Sequence, residues 1–162
     1  MKKYVWAVVA ALWVCSAAAA GSADRLQKIE LVKSVYKPYF DSEKRTDVFA
    51  MPNKFTQDFL SVFEEDERNT PDGYVGCIGY DPIINGQDWS DALLKKSLKV
   101  KILDGNRVEA TFLQWGNRVT KVRYVLQCTG SRCLIDDILL QFPEEKKFSS
   151  FKKSIRSCIA EN

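Results

Sequence analysis

The sequence predicts an α+β domain in which amino-terminal helices and a closing helix pack on a curved four-stranded antiparallel meander. Three observations carry that expectation. Apolar residues recur at helical spacing through the first part of the chain, the period falls to two after Leu98, and turn residues separate the period-two runs.

The first twenty residues stand apart from this pattern. Lys2 and Lys3 precede an apolar stretch from Val5 to Val14, and the small residues Ala17 to Ala20 follow it. That order is the one a secretory signal peptide needs, with cleavage after Ala20 or Ala23. The expectation is a removed segment over 1–20, a single domain over 21–162, and a periplasmic location. The apolar stretch is shorter than the ~20 residues a bilayer span requires, so no stable membrane insertion is expected. Bulky Val14 stands before Cys15, where lipid attachment wants a small residue, and this argues against a lipoprotein.

Each element has its own signal. Ile29, Val32, Val35 and Tyr36 share one face of a helix over 24–36 that Pro38 ends, and a polar loop follows from Asp41 to Asp47. A second helix starts near Asn53 and carries Phe55, Phe59, Leu60 and Phe63 as core. Residues 69–87 read as a long ordered loop, with a short helix after Asp88. Four alternating runs then begin at Leu98, Val108, Val119 and Cys133. After Pro143, Phe148, Phe151, Ile155 and Ile159 are spaced for the closing helix.

Register follows from keeping apolar residues opposite one another, since a one-residue slip moves a whole strand to the other face. A three-residue loop at Asp104-Gly105-Asn106 pairs Ile102 with Val108, Val100 with Ala110 and Lys101 with Glu109. A three-residue loop at Gly116-Asn117-Arg118 pairs Phe112 with Val122, Ala110 with Tyr124 and Val108 with Leu126. The turn Thr129-Gly130-Ser131-Arg132 sets Cys128 opposite Cys133, Leu126 opposite Ile135 and Tyr124 opposite Asp137.

The segment Gly79-Tyr80-Asp81-Pro82-Ile83-Ile84-Asn85-Gly86-Gln87-Asp88, the meander, and Ile135-Asp136-Asp137-Ile138 together resemble a family of bacterial periplasmic proteins and lipoproteins of unknown function. The resemblance implies the cone of the nuclear-transport-factor-2-like, or cystatin-like, superfamily. It lends fold rather than activity.

Composition narrows the function. Without Lys2 and Lys3 the basic residues fall from 24 to 22 against 21 acidic ones, a balance that gives no field for nucleic acid. Histidine is absent, which removes Ser-His and Cys-His nucleophile pairs and histidine metal sites. No cofactor and no metal is expected. Four cysteines lie beyond residue 20, and in an exported chain an even number favours disulfides with three connectivities. Hairpin register selects Cys128 with Cys133, which leaves Cys77 with Cys158; buried thiols at Cys77 and Cys158 are the alternative.

The candidate binding residues are Tyr80, Asp81, Asn85, Gln87, Asp88 and Trp89 in the long loop, Trp115, Lys121 and Arg123 on the outer sheet face, and Tyr124 with Asp137 on the apolar face. A carboxylate beside a phenol there could serve as a base in an enzyme of the ketosteroid isomerase kind, but a structural carboxylate is the commoner arrangement. The function expected is an exported, non-enzymatic protein-binding module. An immunity-type inhibitor of a secreted antibacterial effector is the concrete case, and a homodimer is compatible with it. The alternative is a carrier holding a small ligand inside the cone.

Overall fold

The computed structural model describes residues 6–41, 43, 47–51, 53–142 and 145–161, with side chains from residue 21 onward. The expectations for Lys2, Lys3 and Pro143 therefore lie outside the described residues, as does most of the loop between Asp41 and Asp47, and those for the side chains of Cys15 and Ala17 to Ala20 lie outside the described side chains.

The chain runs through helix α1 (Trp6–Tyr36), a 3-10 turn (Lys37–Phe40), α2 (Gln57–Asn69) and α3 (Asp91–Ser97). Strands β1 (Lys99–Asp104), β2 (Arg107–Leu113), β3 (Val119–Thr129), β4 (Arg132–Leu140) and β5 (Ser149–Ser150) follow, and α4 (Phe151–Glu161) closes the chain. The strands form one antiparallel sheet in the order β1-β2-β3-β4-β5. The α+β class and the meander stand, but the sheet has five strands rather than four. The fifth is a pair of serines facing Leu139 and Leu140, too short and too polar to show an alternating apolar pattern.

Local chemistry sets the helix starts. Thr56, not Asn53, caps α2: its hydroxyl accepts from Phe59 N at 3.1 Å, while Asn53 stands before it at φ 65. The residues between extend beside β4, where Thr56 N donates to Ile135 O at 2.9 Å and Ile135 N to Lys54 O at 2.8 Å. Ser90 caps α3 through Leu93 N.

The registers test the pairing argument strand by strand. Between β1 and β2, Val100 faces Ala110, Lys101 faces Glu109 and Ile102 faces Val108, as expected; the turn is tighter, because Asp104 pairs with Arg107 and Leu103 bulges. Between β2 and β3 the register moves by two residues: Val108 faces Tyr124, Ala110 faces Val122 and Phe112 faces Thr120. The connection is longer than three residues, since Leu113 pairs with Val119 and Gln114 N donates to Arg118 O. A two-residue slip keeps the same side chains on the same face, so the apolar pattern was blind to it.

Between β3 and β4, Cys128 faces Cys133 and Leu126 faces Ile135, and then a bulge intervenes. Tyr124 faces Ile138, and Asp137 faces Val125. The expected pairing of Tyr124 with Asp137 is thereby corrected: the bulge at Asp136 turns Asp137 to the other side of the sheet. Its carboxylate accepts from Ser150 Oγ at 2.5 Å, Ile138 N at 2.8 Å and Lys152 N at 3.3 Å, which ties β4 to the start of α4.

The inner face of the sheet carries Val108, Ala110, Phe112, Val122, Tyr124, Leu126, Ile135, Ile138 and Leu140, all buried. Tyr36 of α1 meets Phe112 and Tyr124 edge-on at 5.5 and 6.2 Å. Beside this lies an aromatic cluster of Phe49, Phe55, Phe59, Phe63 and Phe151. Lys28 also faces inward on α1, its ammonium 2.8 Å from Asp24 and 3.5 Å from the carbonyl of Gly105. Two disulfides, Cys77–Cys158 and Cys128–Cys133, have the expected connectivity. They fit an oxidising, extracytoplasmic compartment. Among the described residues no helix is long and apolar enough to cross a membrane.

Candidate functional site

Most of the candidate residues turn out to hold the scaffold. Asp81 closes a turn with Gly86 through paired backbone hydrogen bonds, takes Ile83 N on one oxygen at 2.8 Å, and accepts from Tyr39 Oη on the other at 2.6 Å. Trp89 is half-buried; its indole donates to Tyr39 O at 3.0 Å and its ring stands edge-on to Tyr39 at 5.3 Å. Tyr80 packs on Phe142 and Phe151, and Gln87 donates to Gly79 O. Asp88 is exposed.

Tyr124 belongs to a buried phenol chain, its hydroxyl donating to Tyr36 Oη at 2.8 Å and Tyr36 donating to Ile83 O at 3.1 Å. Burial pushes both phenols well above the usual tyrosine range. Arg123 lies on the outer face, 2.9 Å from Glu109 and stacked 3.8 Å over the Phe148 ring. Lys101 reaches the same carboxylate at 3.1 Å. Burial raises the proton affinity of Glu109, but the hydrogen bonds from Arg123 and Lys101 outweigh it and hold the carboxyl below its usual range.

Three candidates remain near one another: Asn85, Trp115 and Lys121. Asn85 and Lys121 line a cleft of about 690 Å³ at the end of the sheet, together with Arg118, Val119, Thr120, Gln141, Phe142 and Glu145. The turn at Asp81–Gly86 supplies one wall, the start of β3 the second, and the chain leaving β4 the third. Asn85 is held there at φ 51, a left-handed conformation its side chain tolerates. Its Nδ2 donates to Gln141 O at 3.1 Å, and the neighbouring Ile84 carbonyl accepts from Gln114 Nε2 at 2.6 Å.

Two residues that line this cleft each carry a side-chain oxygen that is enclosed and has no hydrogen-bond partner among the described residues: Asn85 Oδ1 and Thr120 Oγ1. The residues that carry them are only 5% and 4% exposed. An unmet buried polar group costs about 1–3 kcal/mol, so both atoms are unusual in a packed interior. Arg118 and Lys121 at the rim are exposed and make no ion pair among the described residues. In the adjoining β2–β3 connection, Trp115 is 61% and Val119 56% exposed.

Sequence reasoning missed Arg118, Thr120 and Gln141. Thr120 stands among apolar residues in an alternating strand, and only the two-residue change of register puts it at the end of the sheet opposite Phe112. A second exposed pair, Tyr74 and Val75, was also missed. It rides on a loop pinned by the Cys77–Cys158 bridge and by Asp66, which accepts from the amides of Cys77 and Ile78 at 2.7 and 3.1 Å.

These features define a disulfide-braced α+β domain with a polar cleft beside an exposed aromatic edge. No protein-family profile and no curated protein matches the chain. Among solved structures it is similar to a protein of unknown function from Bacteroides thetaiotaomicron VPI-5482, with a TM-score of 0.57 and 22% identity. The likeness covers 77% of this chain and 98% of that one, and it is a likeness of fold.

Proposed function

We propose that the chain is an exported, non-enzymatic protein-binding module whose partner docks on the edge formed by Trp115, Arg118, Val119 and Lys121. The observation that carries this reading is the exposure of Trp115 and Val119 beside two cations that have no ion pair among the described residues. Tryptophan is a frequent binding hot spot, and a rigid scaffold lowers the ordering cost of association. Both disulfides and the turn from Asp81 to Gly86 supply that rigidity. The partner's matching surface is apolar with an acidic margin.

An immunity-type inhibitor of a secreted antibacterial effector is the concrete form of such a module, and the periplasm is its compartment. The carrier alternative needs room on the inner sheet face, which Tyr36, Phe112 and Tyr124 fill. An enzyme would need a poised carboxylate, and Asp137 is engaged by Ser150 and two amides away from Tyr124.

Affinity capture from the native cell envelope tests the proposal. The wild-type chain should recover a protein partner stoichiometrically, and Trp115→Ala or Lys121→Glu should cut recovery about tenfold or more without moving the thermal midpoint. Undiminished recovery by both variants, or recovery of a small molecule alone, would count against it.

A further inference from the structure

We infer that the outer face of the sheet, from β1 across to β3, docks an acidic polypeptide segment of the partner. This inference rests on the protein-binding reading and names the chemistry that continues the docking surface beyond the Trp115 edge. Strand register places the groups. Lys99 pairs with Thr111 and Thr111 with Lys121, while Lys101 pairs with Glu109 and Glu109 with Arg123. Every second residue of a strand shares a face, and Lys101 and Arg123 both reach Glu109 there. Two columns of cations, Lys99 with Lys101 on β1 and Lys121 with Arg123 on β3, therefore flank Thr111 and Glu109 of β2. The columns stand about 10 Å apart at the backbone, and the cations of one column are rooted about 7 Å apart. Val119 precedes Lys121 on the same side of β3 and joins this face to the exposed edge.

Four cations stand against one carboxylate, so the face keeps a net positive charge. Glu109 is 3% exposed, with one oxygen 3.1 Å from Lys101 Nζ and the other 2.9 Å from Arg123 Nε. Lys99 and Lys121 are exposed and make no ion pair among the described residues. The Arg123 guanidinium is fixed on its Nε side by Glu109 and lies 3.8 Å over the Phe148 ring, and its terminal nitrogens take no hydrogen bond among the described residues. A guanidinium held in this way offers its outer fork to a carboxylate at little ordering cost. Carboxylates on alternate residues of an extended segment are also about 7 Å apart, the spacing within a column. Charge is segregated across the molecule, because α2 carries Asp58, Glu64, Glu65, Asp66 and Glu67 against Arg68. An acidic partner is thus steered to the sheet and away from α2. A second copy pressed on the same face would set cation against cation. A lipid surface fits less well, since Thr111 and Glu109 put no large apolar side chain between the columns.

The test uses the oxidised chain labelled with ¹⁵N and two probes: an acetylated, amidated peptide of about eight residues alternating Glu with Ala, and its counterpart with Gln in place of Glu. The acidic peptide should shift the backbone amides of Thr111, Lys121 and Arg123 saturably, bind at least about tenfold more tightly than the neutral one, and weaken as salt rises from about 0.05 to about 0.5 M. Lys99→Gln and Lys121→Gln should each weaken it about threefold or more with the thermal midpoint unchanged, whereas Lys33→Gln, on α1, should not. Arg123→Lys keeps a cation beside Glu109 but loses the planar fork, and it should weaken binding too. Equal binding of the two peptides, shifts confined to other surfaces, or an equal loss in Lys33→Gln overturns the inference. So does association with phosphatidylglycerol vesicles that survives salt at which the peptide is released, since the occupant is then a membrane. If the acidic peptide fails while envelope capture still depends on Trp115, the sheet-face inference falls and the protein-binding reading survives.

Discussion

At the residue scale, side chains that look chemically active from the sequence are mostly committed to structure. Asp137 illustrates this. It joins Ser150 Oγ and Lys152 N to β4, so Asp137→Asn places an amide where two donors point. The expected loss is about 1–2 kcal/mol in urea unfolding, with partner capture retained. Tyr36 and Tyr124 give a second prediction. Their phenols are raised by burial, so the native state keeps protons that the unfolded chain releases near pH 10. Their contribution is complete below that pH and is lost as pH rises above it. Absorbance titration should show Tyr36 and Tyr124 ionising only together with unfolding, and ionisation of every tyrosine before any loss of circular dichroism would refute it. Gly76 is fixed by a close approach rather than a turn: a Cβ there would lie 2.5 Å from Asp66 Oδ2. Gly76→Ala should therefore displace Asp66 from the amides of Cys77 and Ile78 and loosen the Tyr74–Val75 loop, measurable as faster amide exchange there.

At the element scale, α4 is tied to α2 and β4 by a charged seam as well as by Phe151. Arg156 reaches Glu65 and Asp58 at 2.9 Å each, and Lys152 reaches Asp58 at 2.5 Å and Asp136 at 3.1 Å. Hydrogen bonds from Lys152 and Arg156 lower the Asp58 carboxyl, and the one from Arg156 lowers Glu65. Depressed carboxylates contribute stability at neutral pH that is lost as pH falls through their folded values, and Glu109 acts in the same direction. The urea midpoint should therefore decline between about pH 5 and pH 3. Because the seam is only partly buried and water screens its pairs, Arg156→Gln should cost only about 1 kcal/mol at pH 7, and it should flatten that acid limb. An unchanged acid limb would show that the seam carries no net stability.

At the scale of the whole molecule, two covalent links of unequal reach hold the layers. Cys77 and Cys158 are 81 residues apart and join the loop after α2 to α4, whereas Cys128 and Cys133 are 5 apart and close one hairpin. In the chain-entropy account the long link contributes about 4.5 kcal/mol and the short one about 2. Replacing both long-range cysteines by serine should lower the thermal midpoint roughly twice as far as replacing the hairpin pair, and the reverse order would contradict it. Sequence by itself determined the α+β class, the meander, its inward face and the hairpin pair Cys128–Cys133, because period and turn chemistry are local properties that a two-residue slip or a bulge leaves intact, whereas the bridge from Cys77 to Cys158 spans 81 residues and was left open against buried thiols. Asn85 and Lys121 were legible as candidates on the same ground, as polar residues where polar residues are unusual or exposed. Only the tertiary structure decided that Asp137 leaves the Tyr124 face, that Thr120 ends the sheet, and that Asn85, Thr120, Arg118 and Lys121 meet around one cleft. Those outcomes depend on one bulged residue and on the length of one connection, and neither changes which side chains in the sequence are apolar.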